Sequence, residues 1–207
     1  RQPSLEAQIA NLADEIAYNN HDVDDGLRAG LLTLEQLESV ALVRRMLDEV
    51  RGRYPDIPER RLIHEVVRRM INRLVTDVIE SSVAAIAAAA PRDIEAVRGL
   101  TRPLIAMSEA ASAEHLELKS FLRDNLYRHY RVARMTRKAR RVVSELFDAF
   151  MDDVQLMPPE HQEAARAAEM GQGANGRARA VADYIAGMTD RYAIGEHQRM
   201  FTPGERS

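Results

Sequence analysis

The chain has 207 residues and a formal net charge of −3, so it can bury a substantial core and has no overall positive field to attract nucleic acid. It contains no cysteine, which excludes disulfide bonds and thiolate metal sites and fits a reducing cytoplasm. No apolar run approaches the roughly 20 residues of a membrane span, so we expect a cytoplasmic protein without a membrane partner.

The first predicted element is a helix over residues 4–26. Ser4 is a favourable N-cap, Glu6 places a carboxylate in the first turn, and Gly26 suits a left-handed C-cap. Apolar residues recur at helical spacing and define the face that this helix buries: Leu5, Ile9, Leu12, Ala13, Ile16 and Ala17.

The opposite face of this helix carries Asp14, Tyr18 and Asp22 at intervals of four residues. Because a helix advances about 100° per residue, each step of four drifts by only about 40°, so the three side chains form one row. Such a row is typical of a solvated face. It can also hold a metal ion at one end and a sugar hydroxyl at the other, and periodicity alone leaves both interpretations open.

The middle of the chain predicts two further helices and an irregular connection. Thr33 and Gln36 form a capping-box pattern that begins a helix reaching about residue 50. A turn-rich segment leads to Pro58, and a long helical pattern then continues to the break at Pro91. We expect a short helix and irregular chain over residues 91–110.

The last hundred residues also read as helical. Residues 113–157 predict two helices with a break near 128–134. Pro158-Pro159 should end the second of them, and residues 160–170 predict a weak helix. The segment GQGANG, 171–176, predicts a flexible loop, and the final helix should run from about 177 to 200. No strand pattern occurs, so the sequence predicts an all-α, multi-helix bundle.

A basic cluster, RHYRVARMTRKARR, occupies residues 128–141. A run of charge is typical of a solvated helix face. The alternative is an anion-binding surface for a triphosphate, for a nucleotide effector or for single-stranded DNA. The histidines show no metal-ligand spacing, and only His129, inside this cluster, is a further candidate.

Two segments resemble a known family: SLEAQIANLADEIAYNNHDVDDGL, 4–27, and DYIAGMTDRYA, 183–193. Both are similar to the deoxyguanosinetriphosphate triphosphohydrolases, the dGTPase branch of the HD-domain phosphohydrolases. That family hydrolyses a deoxynucleoside triphosphate to the deoxynucleoside and tripolyphosphate. The resemblance implies that residues 1–30 are the last part of the HD catalytic core and residues 31–207 a helical phosphohydrolase-associated region.

The resemblance also implies that an N-terminal HD core is missing. That core supplies a histidine and a His-Asp pair. Neither is found here, because the dipeptide His21-Asp22 lies at the wrong place for that motif. We therefore expect the C-terminal part of a longer enzyme, with no catalytic residue of its own and no activity alone.

By resemblance, Asp14 is the fourth ligand of a divalent metal, such as Mg²⁺ or Mn²⁺, that the chain alone does not bind. Tyr18 packs beneath the deoxyribose, and Asp22 accepts a hydrogen bond from the 3′-hydroxyl. Arg123 resembles an arginine that reaches the phosphates. Tyr127 stands where the relative carries a sugar-contacting histidine.

The leading hypothesis is thus one part of a metal-dependent dNTP triphosphohydrolase, with dGTP as the default substrate and a homo-oligomeric state. The rival hypothesis is a helical module for oligomerisation or nucleotide-effector binding without chemistry of its own. Within DYIAGMTDRYA, Asp190 and Arg191 are expected to form buried polar contacts with other helices.

Overall fold

The computed structural model describes residues 1–204, and the described chain is helical throughout with no strand. It divides into two compact units, one covering Arg1–His129 and the other beginning at Tyr130. The prediction of an all-α bundle is confirmed. Within the described residues, no helix combines the length and the apolarity that crossing a bilayer requires.

The first unit is built on long helices that share one core. Its elements are α1 (Leu5–Arg28), α2 (Leu34–Leu37), α3 (Ala41–Arg53), α4 (Glu59–Ala89), α5 (Ile94–Arg98) and α6 (Glu109–Leu122), followed by a π-helical turn, Arg123–Tyr127. The central side chains recur at helical spacing and are almost completely buried: Leu42, Leu47, Met70, Leu74, Leu118 and Leu122.

Polar contacts fix the connections between these helices. The buried Gln8 side chain accepts hydrogen bonds from the backbone N–H groups of Leu104 (2.9 Å) and Ile105 (3.1 Å), so the connection before α6 is tied to α1. Asp77 of α4 accepts from the backbone N–H of Ser108 at 2.8 Å, and Ser108 in turn caps α6. These contacts hold α1, α4 and α6 in place around the core.

The second unit contains α7 (Tyr130–Asp152), a 3₁₀ turn (Val154–Leu156), α8 (Pro159–Gln172), α9 (Ala174–Ala186) and α10 (Asp190–Phe201). Its smaller core includes Phe150 and Tyr184, whose ring centroids lie 5.4 Å apart. Proline at the first position of α8 costs no hydrogen bond there, which explains why the Pro158-Pro159 pair begins a helix.

Several local predictions are confirmed. Ser4 caps α1 by accepting from the Ala7 N–H, and Thr33 and Gln36 form both hydrogen bonds of a capping box. The long helix α4 ends at Ala89, just before Pro91. The break expected near 128–134 separates the π-helical turn from α7.

The prediction that Gly26 ends the first helix is wrong. Helix α1 continues to Arg28, and Gly26 is buried within it. A Cβ at this position would lie 2.7 Å from Cδ1 of Leu32. The glycine therefore permits close packing, and the positive φ of 62° that follows the helix belongs to Gly30.

The helix predicted from Thr33 to about residue 50 is divided. Helix α2 lasts one turn, and the Ser39 hydroxyl donates to the Gln36 carbonyl oxygen at 2.7 Å, which gives the chain an alternative to a continuous helical ladder. Val40 is buried in the core and begins α3 from an extended conformation.

Two predictions for the second unit are also wrong. Residues 171–176 form no loop, because only Gly173, with φ of 59°, separates α8 from α9. The single final helix is divided after Ala186: Gly187 ends α9, and the Thr189 hydroxyl caps α10 by accepting from the Tyr192 N–H at 3.3 Å.

Asp190 and Arg191 do not make the expected buried contacts. Both are exposed, and neither side chain forms an ion pair or hydrogen bond within residues 1–204. Asp190 lies in the first turn of α10, where a carboxylate is favoured by the helix dipole.

The close approach of α8 and α9 yields a stability prediction at Gly176. A Cβ here would lie 2.0 Å from the Ala168 carbonyl oxygen, which is backbone and cannot rotate away. We expect Gly176→Ala to lower the free energy of unfolding by about 1–3 kcal/mol in urea titrations. Gly171→Ala is the matched control, because no atom lies within 4 Å of its Cβ and alanine favours α8. Equal stability of the two variants would contradict the packing argument.

Candidate functional site

The candidate site starts from the polar row on α1. Asp14 and Tyr18 are exposed, the latter by 57%, while Asp22 is half-buried. The buried residues of α1, Ile16 and Val23 among them, occupy its other side. The row therefore lies along the outer side of a helix that the core holds firmly.

The π-helical turn brings Tyr127 to this row. Leu122 and Leu126 anchor the turn in the core, and the Tyr127 hydroxyl donates a hydrogen bond to Oδ2 of Asp22. The ring of Tyr127 lies 6.3 Å from the ring of Tyr18, centroid to centroid, at an angle of 44°. Asp22, Tyr18 and Tyr127 thus form one cluster, which we call the tyrosine–aspartate cluster.

The electrostatics of the cluster keep Tyr127 protonated. Burial raises the pKa of the Tyr127 phenol, and the Asp22 carboxylate that accepts its hydrogen bond raises this pKa further. The phenol therefore stays a donor and uses one oxygen of Asp22. Since a carboxylate has two oxygens, Oδ1 of Asp22 can accept from a further hydroxyl.

Asp14 lies two turns before Asp22 and has no partner among the described residues. Its carboxylate is the right donor for a hard or borderline cation. Within residues 1–204, however, no three His, Asp or Glu side chains are grouped so that they could hold a metal ion. Asp14 is thus a single oxygen donor on an exposed helix face.

Arg123 is not brought into the tyrosine–aspartate cluster by any contact. It is exposed and pairs with its neighbour Asp124, with 3.2 Å between Nε and Oδ1. This guanidinium lowers the pKa of the Asp124 carboxyl. The resemblance assigned both Arg123 and Tyr127 to the substrate site. The π-helical turn directs only Tyr127 to Asp22.

A second polar group between α1 and α6 was missed in the sequence. His115 is buried, and its Nε2 lies 3.0 Å from Nδ2 of the buried Asn19. Burial lowers the pKa of His115, and the neighbouring Glu15 opposes this shift. Nε2 of His115 also lies 3.5 Å from Oε1 of Glu15, whereas Nδ1 has no partner in the described structure.

Lys119 completes this group. Its ammonium donates to Oε1 of Glu15 at 2.6 Å, and this bond is the main cause that lowers the pKa of the Glu15 carboxyl. Helical spacing could have identified His115, since Ala111, Leu118 and Leu122 lie four residues before, three after and seven after it on the buried face of α6.

The basic cluster forms the first three turns of α7. Its six basic side chains beyond residue 130 are exposed: Arg131, Arg134, Arg137, Lys138, Arg140 and Arg141. Arg134 and Arg131 lie over the Tyr130 ring at 5.7 and 6.0 Å, and Arg141 pairs with Glu145. His129 is half-buried in the first unit.

The raised pKa of Tyr127 predicts a specific pH dependence. An unfolded phenol loses its proton near pH 10, whereas the folded state retains it, so this group stabilises the fold below about pH 10 and the contribution is lost as the pH rises further. We expect the free energy of unfolding to fall less steeply above pH 10 in Tyr127→Phe, measured by urea titrations between pH 8 and 11. Tyr54→Phe is the control for loss of one exposed phenol. Equal slopes for Tyr127→Phe and the parent chain would count against the half-buried hydrogen bond to Asp22.

Comparison with known proteins now gives this geometry a context. Residues 105–199 match the family model of the phosphohydrolase-associated domain. The chain is 56% identical over 203 residues, 98% of its length, to a deoxyguanosinetriphosphate triphosphohydrolase-like protein of Bordetella pertussis, and covers 50% of that protein. A protein of the same name from Thiobacillus denitrificans is 53% identical over 99% of the chain, which covers 52% of it.

The chain spans about half the length of the curated relatives it matches, and the match falls in their C-terminal half. The first unit contributes the tyrosine–aspartate cluster to that match, and the part that matches the phosphohydrolase-associated domain begins shortly before α6 and ends within α10. Over nearly its whole length the chain is therefore similar to the C-terminal half of proteins named deoxyguanosinetriphosphate triphosphohydrolase-like.

Proposed function

We propose that this chain supplies the sugar-reading part of the active site of a metal-dependent deoxynucleoside triphosphohydrolase. The observation that carries the proposal is the tyrosine–aspartate cluster. It combines a carboxylate with one oxygen available and two aromatic rings on one outer surface. In this proposal, residues 1–30 complete the catalytic core and residues 31–207 form the associated helical region.

The cluster can discriminate deoxyribose by contact and shape. Oδ1 of Asp22 accepts a hydrogen bond from the 3′-hydroxyl, while the Tyr127 phenol fixes the orientation of the carboxylate through Oδ2. The exposed Tyr18 ring lies where the sugar packs, so that a 2′-hydroxyl would collide with it. A site that hydrogen-bonds one hydroxyl and excludes another can separate deoxy from ribo substrates.

Asp14 and Arg123 have the roles of ligand and phosphate contact in this proposal. A divalent cation, when bound, supplies the Lewis acid that such a hydrolysis needs. Asp14 offers that cation one oxygen ligand from an exposed helix face. Arg123 can exchange Asp124 for a phosphate at little cost, because both partners of this pair are about half exposed and such pairs contribute little stability.

A second candidate function is a helical module for oligomerisation or for binding a nucleotide effector or single-stranded DNA. The exposed basic turns of α7 favour it, since they present cations around an exposed tyrosine ring. Under this candidate, the chain takes no part in the hydrolysis itself.

A fusion protein provides the first test: the N-terminal half of the Bordetella pertussis relative joined to this chain. Asp14→Ala in the fusion should lower kcat/KM for tripolyphosphate release by more than about 100-fold, since loss of even a group that only supports a ligand costs about 10–100-fold. Glu6→Ala, which removes another exposed carboxylate of α1, is the matched control. The chain alone should be inactive. Unchanged turnover of Asp14→Ala would refute the metal-ligand role of this residue.

The sugar contact has its own test in the same fusion protein. Tyr18→Ala should lower the ratio of kcat/KM for dGTP over GTP by at least about tenfold, because the ring no longer excludes the 2′-hydroxyl. Tyr54→Ala, at an exposed tyrosine outside the cluster, should leave the ratio unchanged. A constant ratio in Tyr18→Ala would contradict the role of the ring, whatever the effect on the overall rate.

A further inference from the structure

An open apolar groove runs along the first unit between α1 and α4. It has a volume of about 400 Å³ and includes Ile9 and Ala13 of α1 and Val75, Ile79, Val83 and Ile86 of α4. No lining side chain is charged. The one polar residue, Ser82, already accepts a hydrogen bond from the Ala106 N–H at 3.3 Å.

The side chains at the rim of this groove are unusually exposed for their type. Ile9, Val75, Ile79 and Val83 expose between 41% and 63% of their surface. The α4 residues of the groove recur at helical spacing from Val75 to Ile86, a distance of about 16 Å along the helix, so they form one continuous stripe. A contiguous apolar stripe of this length marks an interaction surface, whereas single exposed apolar residues do not.

The comparisons indicate what covers the stripe. The relatives are about twice as long as this chain, and the match lies in their C-terminal half. Elements that follow one another in sequence usually lie side by side. Helix α1, which forms one wall of the groove, is therefore the element most directly connected to the preceding half.

The start of the chain is also fixed near the groove. The backbone N–H of Gln2 donates to the Arg98 carbonyl oxygen at 3.0 Å, and its side chain donates to the Thr101 carbonyl oxygen at 3.3 Å. The same connection continues to Ile105, which lines the groove. A segment that joins the chain at this point can reach the groove through a short link.

We propose that the α1–α4 groove is the seat of an apolar helix from the N-terminal half that precedes this region in the relatives. The length of the stripe accommodates about three turns of a helix, and the groove between two packed helices can receive the side-chain ridge of a third. This proposal rests on the sequence match and the apolar surface. It does not depend on the chemistry proposed for Asp14 or Tyr18.

The absence of cysteine from the chain makes a direct test feasible. A single thiol is placed in the groove by Ile79→Cys and on the other side of α4 by Ala88→Cys; the two positions are nine residues, or about 180°, apart, and both are exposed. Alkylation rates are then compared between the isolated chain and the fusion protein, by mass spectrometry of the labelled peptide. We expect the groove thiol to react at least tenfold more slowly in the fusion, and the Ala88→Cys thiol at the same rate in both.

A binding measurement supports the labelling. The chain is co-expressed with the tagged N-terminal half of the Bordetella pertussis relative, and co-purification is compared for the parent chain, Ile79→Glu and the control Ala88→Glu. A glutamate buried in the apolar contact should weaken capture about 100-fold, whereas Ala88→Glu should not. Circular dichroism shows whether each variant retains its helices.

Equal labelling rates in chain and fusion, or no capture of the parent chain, would overturn the proposal. So would protection of the groove thiol in the isolated chain that grows with concentration, because a second copy would then cover the groove. Neither measurement requires substrate or metal. The two proposals can therefore fail separately. Protection of the groove thiol tests the docked helix, and the hydrolysis rate of Asp14→Ala tests the proposed function.

Discussion

The buried hydrogen bond between Asn19 and His115 is the contact on which the candidate site depends. It joins α1 to α6 inside the core, with 3.0 Å between the two nitrogens. Tyr18 precedes Asn19 directly, and Tyr127 follows α6 through the π-helical turn. The same bond therefore sets the relation between the two elements whose aromatic rings surround Asp22. An unsatisfied amide or imidazole at this depth would cost more than the bond itself contributes, which makes the pairing specific.

Much of the fold could be predicted from local chemistry. The caps at Ser4 and Thr33, the apolar period of α4 and the break at Pro91 follow from local chemistry, and each of these predictions is confirmed. The helix expected to end at Pro158-Pro159 ends earlier, at Asp152, and a 3₁₀ turn follows it. The errors at Gly26 and Gly176 have one cause. A glycine permits both a turn and a close approach of two segments. Which of the two applies depends on the neighbour that packs against it, Leu32 for Gly26 and Ala168 for Gly176, and the local sequence pattern does not reveal these contacts.

The site could be predicted in part. The row of Asp14, Tyr18 and Asp22 follows from helical spacing, and the described structure places it on the outer side of α1, as periodicity requires. The partnership of Asp22 with Tyr127 joins residues 105 positions apart, and no local rule gives it. His115 was overlooked because a histidine among leucines is ordinarily packing, and its partner Asn19 lies 96 residues away. The roles assigned to Asp14, Tyr18, Asp22, Arg123 and Tyr127 stay predictions.

The π-helical turn has a consequence for how this surface tolerates change in length. A π turn contains one residue more than the α-helical turn it replaces. The wide turn takes up this extra residue without changing the direction of the residues on either side of it. Deleting one residue between Arg123 and Leu126 would restore regular α-helical winding and leave Tyr127 directed to Asp22, whereas a deletion within the regular turns of α6 would rotate the residues on one side of it by about 100°. A change of one residue in length can therefore be absorbed at this turn and not elsewhere in the helix.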